Sequence, residues 1–154
     1  MYQHILVPMD GSKVAECVLP HLMAIGDGCN AKKVTLVRVV EPLHMYLGLE
    51  SGINPEERHR IDNETMKIAR AYLEQIAERL KQNGFGVDYE VLYGKVIDEI
   101  ASFVNKNGVD LVILATHGKS GVSRMVWGST ADRILRSIHV PILMIRASGH
   151  GNPG

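Results

Sequence analysis

The residues best suited to chemistry lie in one segment near the C-terminus, from Gly118 to Thr130. The apolar run Leu111–Ala115 precedes this segment, and nine residues separate Gly118 from Gly128-Ser129-Thr130, where a helical pattern starts. The pattern is that of a buried strand, then a loop flanked by small residues, then the first turn of a helix. This arrangement places free backbone N–H groups and two hydroxyls at the positive end of a helix dipole. The pattern predicts a phosphate-binding loop, because small residues let a ligand approach the backbone closely. The alternative is a surface loop that contains glycine and ends in an ordinary Ser/Thr helix cap.

Neither of the two best-known phosphate motifs is complete in this chain. A P-loop has a glycine, then four residues, before a triplet such as Gly118-Lys119-Ser120, but the first position here is Ile113. The Rossmann fingerprint is absent after the first strand, where Pro8-Met9-Asp10-Gly11-Ser12 stands instead. A phosphate site in this protein must therefore rest on a different loop.

Composition narrows the class of protein. The chain has 154 residues, 45% of them hydrophobic, which predicts one domain over residues 1–147, followed by a flexible glycine-rich tail at 148–154. Lys+Arg and Asp+Glu number 17 each, so the sequence offers no basic field for nucleic acid. No apolar run approaches membrane-spanning length, and Cys17 and Cys29 form no metal or redox spacing. A soluble cytoplasmic protein with no membrane partner is expected.

Strand and helix patterns alternate along the whole chain. The apolar strands are predicted at His4–Met9, Val34–Val40, Val87–Tyr93, Asp110–Ala115 and Val140–Arg146. About four helices are predicted: one after Ser12 with a kink or loose turn at Pro20, one from Asn54-Pro55 to Asn83-Gly84, one from Val96 to Asn107, and one after Gly128. Residues 41–53 form a long connection. This alternation predicts an α/β fold with a doubly wound parallel sheet.

The turns after strands one and four are the expected ligand site. Ligands of open parallel sheets bind at the carboxyl ends of strands, where the strand order reverses. Pro8–Ser12 and the segment from Ala115 onward would flank one crevice if strands one and four are neighbours.

Four sequence blocks together resemble the universal stress protein family. They are Ile5–Ser12, the loop after strand four, Gly128-Ser129, and Val140–Arg146, in matching order over roughly residues 2–147. The nucleotide-binding branch of that family carries G-x-x-G, nine residues, then G-[S/T]; Gly118 and Gly128-Ser129 match, whereas Ala115 replaces the first glycine. The resemblance implies a Rossmann-like five-stranded sheet of order 3-2-1-4-5, ATP (or AMP or ADP) between strands one and four, and a homodimer.

The resemblance also assigns residues to parts of the nucleotide. Pro8, Met9 and Asp10 would border adenine and ribose, and Val39 would offer backbone groups to the adenine edge. The residues that would surround ribose and phosphates are Leu114, Ala115, Thr116, His117, Gly118, Lys119 and Ser120, with Gly128, Ser129 and Thr130 at the terminal phosphates. Mg²⁺ would be held through the ATP phosphates and not by direct protein ligands. A methyl group at Ala115 interferes only if the backbone there has positive φ or the ribose touches Cα.

Some of these residues have a structural alternative. Asp10 is suited to orienting a ribose hydroxyl or a metal-bound water, and equally to an Asx turn that caps the first helix. Lys119 and Arg124 are placed to neutralise phosphate charge or are ordinary solvated side chains. His117 has no second ligand at metal spacing, so no metal role is assigned to it.

Three functions fit this pattern. The first is a homodimeric, ATP-binding stress-response regulator that acts as a nucleotide-dependent switch or partner-binding module; its protein partner is unknown. The second is a slow ATPase or phosphoryl-transfer enzyme, which the lack of a defined base and nucleophile pair disfavours. The third is a nucleotide-free dimeric module, which Gly118 and Gly128-Ser129 disfavour. The strand around Ile142–Ile145 is the expected dimer edge.

Overall fold

A parallel sheet of five strands forms the centre of the molecule. The computed structural model describes residues 1–48, 52–84, 86–117 and 129–147. The strands are β1 (His4–Pro8), β2 (Lys33–Val40), β3 (Asp88–Tyr93), β4 (Leu111–His117) and β5 (Ile142–Ala147). The α-helices are α1 (Leu19–Cys29), α2 (Leu43–Leu47), α3 (Pro55–Gln82), α4 (Val96–Asn107) and α5 (Ser129–Ser137).

The strand order is β3-β2-β1-β4-β5, with every pair parallel, which confirms the predicted topology. β1 lies in the middle: its Ile5 is paired with Val34 of β2 on one side and with Leu111 of β4 on the other. The sheet is thus extended on one side of β1 by β2 and β3, and on its other side by β4 and β5. The carboxyl ends of β1 and β4 lie side by side. This is the position at which open α/β sheets bind ligands.

Two apolar layers cover the two faces of the sheet, because side chains alternate along each strand. In β1, Ile5 and Val7 belong to the layer packed with α1 and α3, whereas Leu6 belongs to the layer packed with α4 and α5. All three side chains are fully buried. None of the helices in the described part of the chain combines the length and apolarity needed to cross a membrane.

Local sequence explains where two of the helices start. Asn54 caps α3, since its side-chain oxygen accepts a hydrogen bond from the Glu57 amide at 2.8 Å, and Pro55 occupies the first turn. The first helical segment is broken as the proline predicted. A 3-10 helix runs over Val14–Val18, and α1 starts at Leu19 with Pro20 in its first turn, where a missing N–H costs no intrahelical bond.

The helix count and some boundaries differ from the prediction. The described residues form five α-helices where about four were predicted, since the 41–53 connection contains the short helix α2. β4 extends to His117, beyond the predicted end at Ala115, because Thr116 and His117 pair with Arg146 and Ala147 of β5. Thr116 is therefore part of the strand and not of the loop that follows it. The tail at 148–154 lies outside the described residues.

Candidate nucleotide site

A cavity of about 400 Å³ opens at the carboxyl end of the sheet. Its described walls come from the ends of β1, β2 and β4, from the 3-10 segment and from the first two turns of α4 and α5. The lining residues are Pro8, Met9, Asp10, Ala15, Val37, Val39, Val96, Ile100, Leu114, Ala115, Thr116, Ser129, Thr130, Ala131 and Ile134. The cavity therefore lies where β1 and β4 were expected to form a crevice.

Most of the predicted site residues line this cavity. Those brought together are Pro8, Met9, Asp10, Val39, Leu114, Ala115, Thr116, Ser129 and Thr130. His117 is the last residue of β4, and its side chain is outside the described part. Gly118, Lys119, Ser120 and Gly128 also lie outside the described residues, so their assignment stays a prediction.

The turn after β1 is fixed by hydrogen bonds around Asp10. Its Oδ1 accepts from the Ser12 amide at 2.8 Å and from the Ser12 hydroxyl at 2.6 Å. The Ser12 oxygen in turn accepts from the Ala15 amide at 3.2 Å, at the start of the 3-10 segment. The Asx turn considered for Asp10 is thus present. The same carboxylate is exposed on the cavity wall, so the turn orients it toward any ligand there.

A second set of contacts joins β2 to the other walls. The Met9 amide donates to the Val37 carbonyl at 2.8 Å, which continues the sheet past the end of β1. The Val96 amide at the start of α4 donates to Glu41 Oε1 at 3.3 Å. Glu41 directly follows β2, so this bond holds the first turn of α4 beside Val39 at the cavity.

One wall of the cavity is almost wholly apolar, and sequence reasoning missed most of it. Its members not singled out from the sequence are Val37, Val96, Ile100, Ala131 and Ile134, whereas Ala15 lines the cavity from the opposite apolar layer. On sequence, Ile100 and Ile134 read as ordinary core positions of amphipathic helices, and both are indeed buried. The alternation of side chains along β2 could have predicted part of this wall, since it places Val37 and Val39 on the same face of the sheet, the one that α4 and α5 cover. An apolar wall beside hydroxyl and carboxylate groups suits a ligand with a flat apolar part and a polar part.

The position of Ala115 settles one question raised by the sequence. Among the described non-glycine residues, only Asn30 has a positive φ, so Ala115 adopts ordinary strand geometry. Its side chain packs with Ile113 against the layer of α1 and α3. The methyl group at this position therefore imposes no backbone strain.

The described cavity wall carries little charge. Asp10 is its one ionisable member in the part of the chain that the structure describes. No group of three or more His, Cys, Asp or Glu side chains suited to a metal ion occurs in the described ranges. Ser129 and Thr130 are exposed at the N-terminus of α5, where backbone N–H groups and the helix dipole favour an anion.

Comparison with known proteins agrees with this geometry. The sequence model of the Universal stress protein family matches residues 1–146. The chain belongs to the universal stress protein family. It is 27% identical over 157 aligned positions to universal stress protein MJ0577 of Methanocaldococcus jannaschii, covering 95% of this chain and 96% of that protein. The solved structure of MJ0577 superposes with a TM-score of 0.79 and covers 97% of this chain and 99% of that one.

Two more distant structures share the fold of this universal stress protein. One is a family member from Arabidopsis thaliana with AMP bound, at 14% identity and a TM-score of 0.64, covering 99% of this chain and 96% of that one. The other is a universal stress protein in complex with cAMP, at 18% identity and a TM-score of 0.59, covering 96% of this chain and 98% of that one. These likenesses extend the fold assignment, and the nucleotides are properties of those two proteins.

Proposed function

We propose that this protein binds ATP in the cavity between β1 and β4 and acts as a homodimeric regulator in the cytoplasm. The observation that carries the proposal is the chemistry of the cavity. An apolar wall from β2, α4 and α5 faces a rim that carries the Asp10 carboxylate and the hydroxyls of Ser129 and Thr130. The binding of AMP and cAMP by relatives of the same fold supports a nucleotide as the ligand.

The proposal assigns each part of the ligand to a part of the wall. Adenine would lie against Val39 and the apolar side chains of α4, and the ribose would lie beside Pro8–Asp10. The phosphates would run toward the N-terminus of α5, where Ser129 and Thr130 donate hydrogen bonds, with Gly118 and Gly128 expected to leave space for them. Mg²⁺ would be bound through those phosphates.

The first experiment identifies the ligand directly. The purified protein is denatured, and any released small molecule is identified by mass spectrometry. Calorimetric titrations of the ligand-free protein with ATP, ADP and AMP, each with and without Mg²⁺, then rank the ligands. We expect ATP with Mg²⁺ to bind. An absence of binding by all three nucleotides would contradict the proposal.

A matched pair of α5 variants tests the location of the ligand. Thr130 is exposed and lines the cavity, so Thr130→Trp should fill the phosphate region without disturbing the core. Arg133 is exposed on the same helix and does not line the cavity, so Arg133→Trp is the control. We expect loss of ATP binding in the first variant and an unchanged Kd in the second, with equal melting temperatures. Unchanged binding in Thr130→Trp would place the ligand elsewhere.

Binding is favoured over turnover by what lines the cavity. Rapid phosphoryl transfer needs an oriented acceptor and groups that stabilise charge better in the transition state than in the ground state. Asp10, the ionisable residue of the described wall, already uses Oδ1 in its own turn. The protein is therefore proposed to hold ATP and not to consume it rapidly.

A further inference from the structure

Arg38 lies directly beneath the turn that borders the cavity. It follows Val37 in β2, and strand alternation puts its side chain on the α3 face, opposite Val37 and Val39. Gly11, in the middle of the turn, has φ +84°. A Cβ at Gly11 would lie 2.8 Å from Arg38 Nη1, 2.9 Å from Cζ and 3.2 Å from Nη2. The flat guanidinium is thus packed against the backbone of Gly11.

The guanidinium is itself held in place from α3. Its Cζ lies 5.8 Å from the centre of the Tyr72 ring, within cation–π range. Tyr72 packs against the core layer of α1 and α3 and is only partly accessible. The Tyr72 hydroxyl is buried and has no hydrogen-bond partner among the described residues. Within the described residues, packing against this core layer is what holds the ring.

No ion pair accounts for the position of Arg38. None of the salt bridges within the described ranges includes it, although Arg79, also on α3, pairs with Glu16 at 2.8 Å. Arg38 is half-buried, and its guanidinium lies within cation–π range of the Tyr72 ring and against Gly11. The Gly11 backbone that it contacts belongs to the Asp10–Ser12 turn, and Asp10 of this turn lines the cavity.

We propose that Arg38 is a positioning residue for ligand binding: packed against Gly11 and within cation–π range of Tyr72, it sets the position of the Asp10–Ser12 turn and so of the Asp10 carboxylate. The inference rests on the proposed nucleotide site for its effect on affinity. Arg38 is proposed to act through the turn and not by touching the ligand, since it is not among the described residues that line the cavity. Preorganisation of this kind raises affinity because the turn need not be ordered when the ligand binds.

The first test compares two arginines on the same face of the sheet. Arg38→Met keeps an unbranched stem and removes the flat cation, and Arg38→Lys keeps the charge without the plane. Arg79→Met is the control, since it breaks the Glu16 pair without touching the turn. We expect the Kd for ATP to rise about tenfold in Arg38→Met, equivalent to ~1.4 kcal/mol, and by less in Arg38→Lys. A change below about twofold in Arg38→Met, with the fold intact, would overturn the proposal.

A double-mutant cycle then tests the contact itself. Gly11→Ala places a methyl group against the guanidinium and also strains the backbone at φ +84°. In the Arg38→Met background the close contact is gone and only the backbone strain remains. We therefore expect Gly11→Ala to raise Kd less in that background than in the wild type. Additive effects on ln Kd would refute a direct coupling of these two residues.

Hydrogen exchange of the ligand-free protein separates this inference from the function on which it rests. The amides of Ser12 and Ala15 donate the hydrogen bonds that define the turn. We expect both to exchange faster in Arg38→Met and to be unchanged in Arg79→Met. If the wild type binds no nucleotide but exchange responds in this way, the proposed function fails and the positioning role stands. If nucleotide binds and exchange is the same in all variants, the positioning role fails.

Discussion

Single side chains divide the cavity into an apolar part and a hydroxyl-bearing part. Ser129 is exposed at the first position of α5, so its hydroxyl is free to turn toward a ligand phosphate. Asp132 in the same turn would repel an anion, but it bonds to Arg136 at 3.0 Å. The polarity of the α5 N-terminus is therefore set by the backbone amides and the two hydroxyls of Ser129 and Thr130.

Removing one of these hydroxyls should weaken binding modestly. Ser129→Ala is expected to cost roughly 0.5–1.5 kcal/mol of ATP binding, the value of one hydrogen bond, because the neighbouring amides still hold the phosphates. Ser137→Ala makes the same change at the other end of α5, where the hydroxyl donates to the Arg133 carbonyl at 2.7 Å. Calorimetry should show a raised Kd in the first variant only. Equal Kd values would remove Ser129 from the site.

Tyr93 should make stability fall at alkaline pH. The hydrogen bond that its hydroxyl donates to Asp62, together with burial, raises the pKa of Tyr93 from 10 to about 12. The folded state thus favours the neutral phenol, a contribution that is complete below pH 10 and is lost as pH rises through about 12. In urea unfolding between these pH values, Tyr93→Phe should lose less stability than the wild type. Tyr72, whose pKa burial also raises to about 12, should account for part of the remaining loss.

At the scale of the elements, the short helix α2 is attached to the rest of the domain by a few side-chain hydrogen bonds. Asp62 of α3 is buried; its Oδ1 accepts from the Leu43 amide at 2.9 Å and its Oδ2 from the Tyr93 hydroxyl at 2.7 Å. Tyr46 adds a bond of 2.6 Å to Glu41. α2 is therefore held between the end of β2, the side of α3 and the end of β3, while Met45 and Leu47 remain exposed.

Replacing Asp62 should release α2 and destabilise the domain. Asp62→Ala removes both acceptors at once, so we expect the free energy of unfolding to fall by about 2 kcal/mol in urea titrations. Tyr93→Phe removes one of the two bonds and should cost less. Faster exchange of the Leu43 amide should accompany the loss in Asp62→Ala. A stability equal to that of the wild type would show that these bonds are replaced by water at no cost.

Elements defined by local sequence were predictable, and elements defined by distant contacts were not. The strands, their order and the start of α3 follow from apolar runs, the family resemblance and the Asn54-Pro55 signal. α2 was missed because it has five residues and no side-chain cap, and because its anchor, Asp62, lies 19 positions away from Leu43. The extension of β4 was missed because it depends on pairing with β5.

The same limit applies to the candidate site. The residues after β1 and β4 were predictable because the carboxyl end of a parallel sheet is a general ligand position. The α4 wall was not, since Val96 and Ile100 carry the pattern of any core-facing helix. The contact of Arg38 with Gly11 was also not predictable. It joins β2 to the turn after β1 on one face of the sheet, and no regular spacing of residue types in the sequence indicates such a contact.

At the scale of the whole molecule, β5 is the feature that predicts assembly. It is an edge strand that pairs on one side with β4, and its apolar residues Ile142–Ile145 are only partly buried. A second copy related by a twofold axis would cover this edge with an isologous contact. Light scattering at micromolar concentrations is expected to give the mass of a dimer. A monomer under these conditions would contradict the prediction.

The intact protein is also expected to be a poor ATPase. The groups proposed to hold the phosphates, namely the backbone amides of α5 with Ser129 and Thr130, should bind the ground state and the transition state of ATP hydrolysis about equally well. Such groups lower Kd without increasing the rate of hydrolysis. We therefore expect turnover on the scale of minutes or slower, far below the enzyme median of roughly 10 s⁻¹. Phosphate release by the purified protein measures this rate, with Gly128→Val as the control for contaminating activity. Several turnovers per second, lost in that variant, would favour the enzyme hypothesis.

The pairing of β1 with β4 has a consequence for how the chain acquires its cavity during synthesis. Asp110 bonds to the His4 amide across a separation of 106 residues, and β1 pairs with β4 just beyond this point. A nascent chain that ends before β4 can pair β1 with β2, and β2 with β3, but it has only one side of the crevice. Contacts of such long range form slowly because a large loop must close first. The described walls of the cavity are therefore complete only once the chain has reached α5, and the binding energy of a ligand there stabilises no intermediate that lacks β4 and α5.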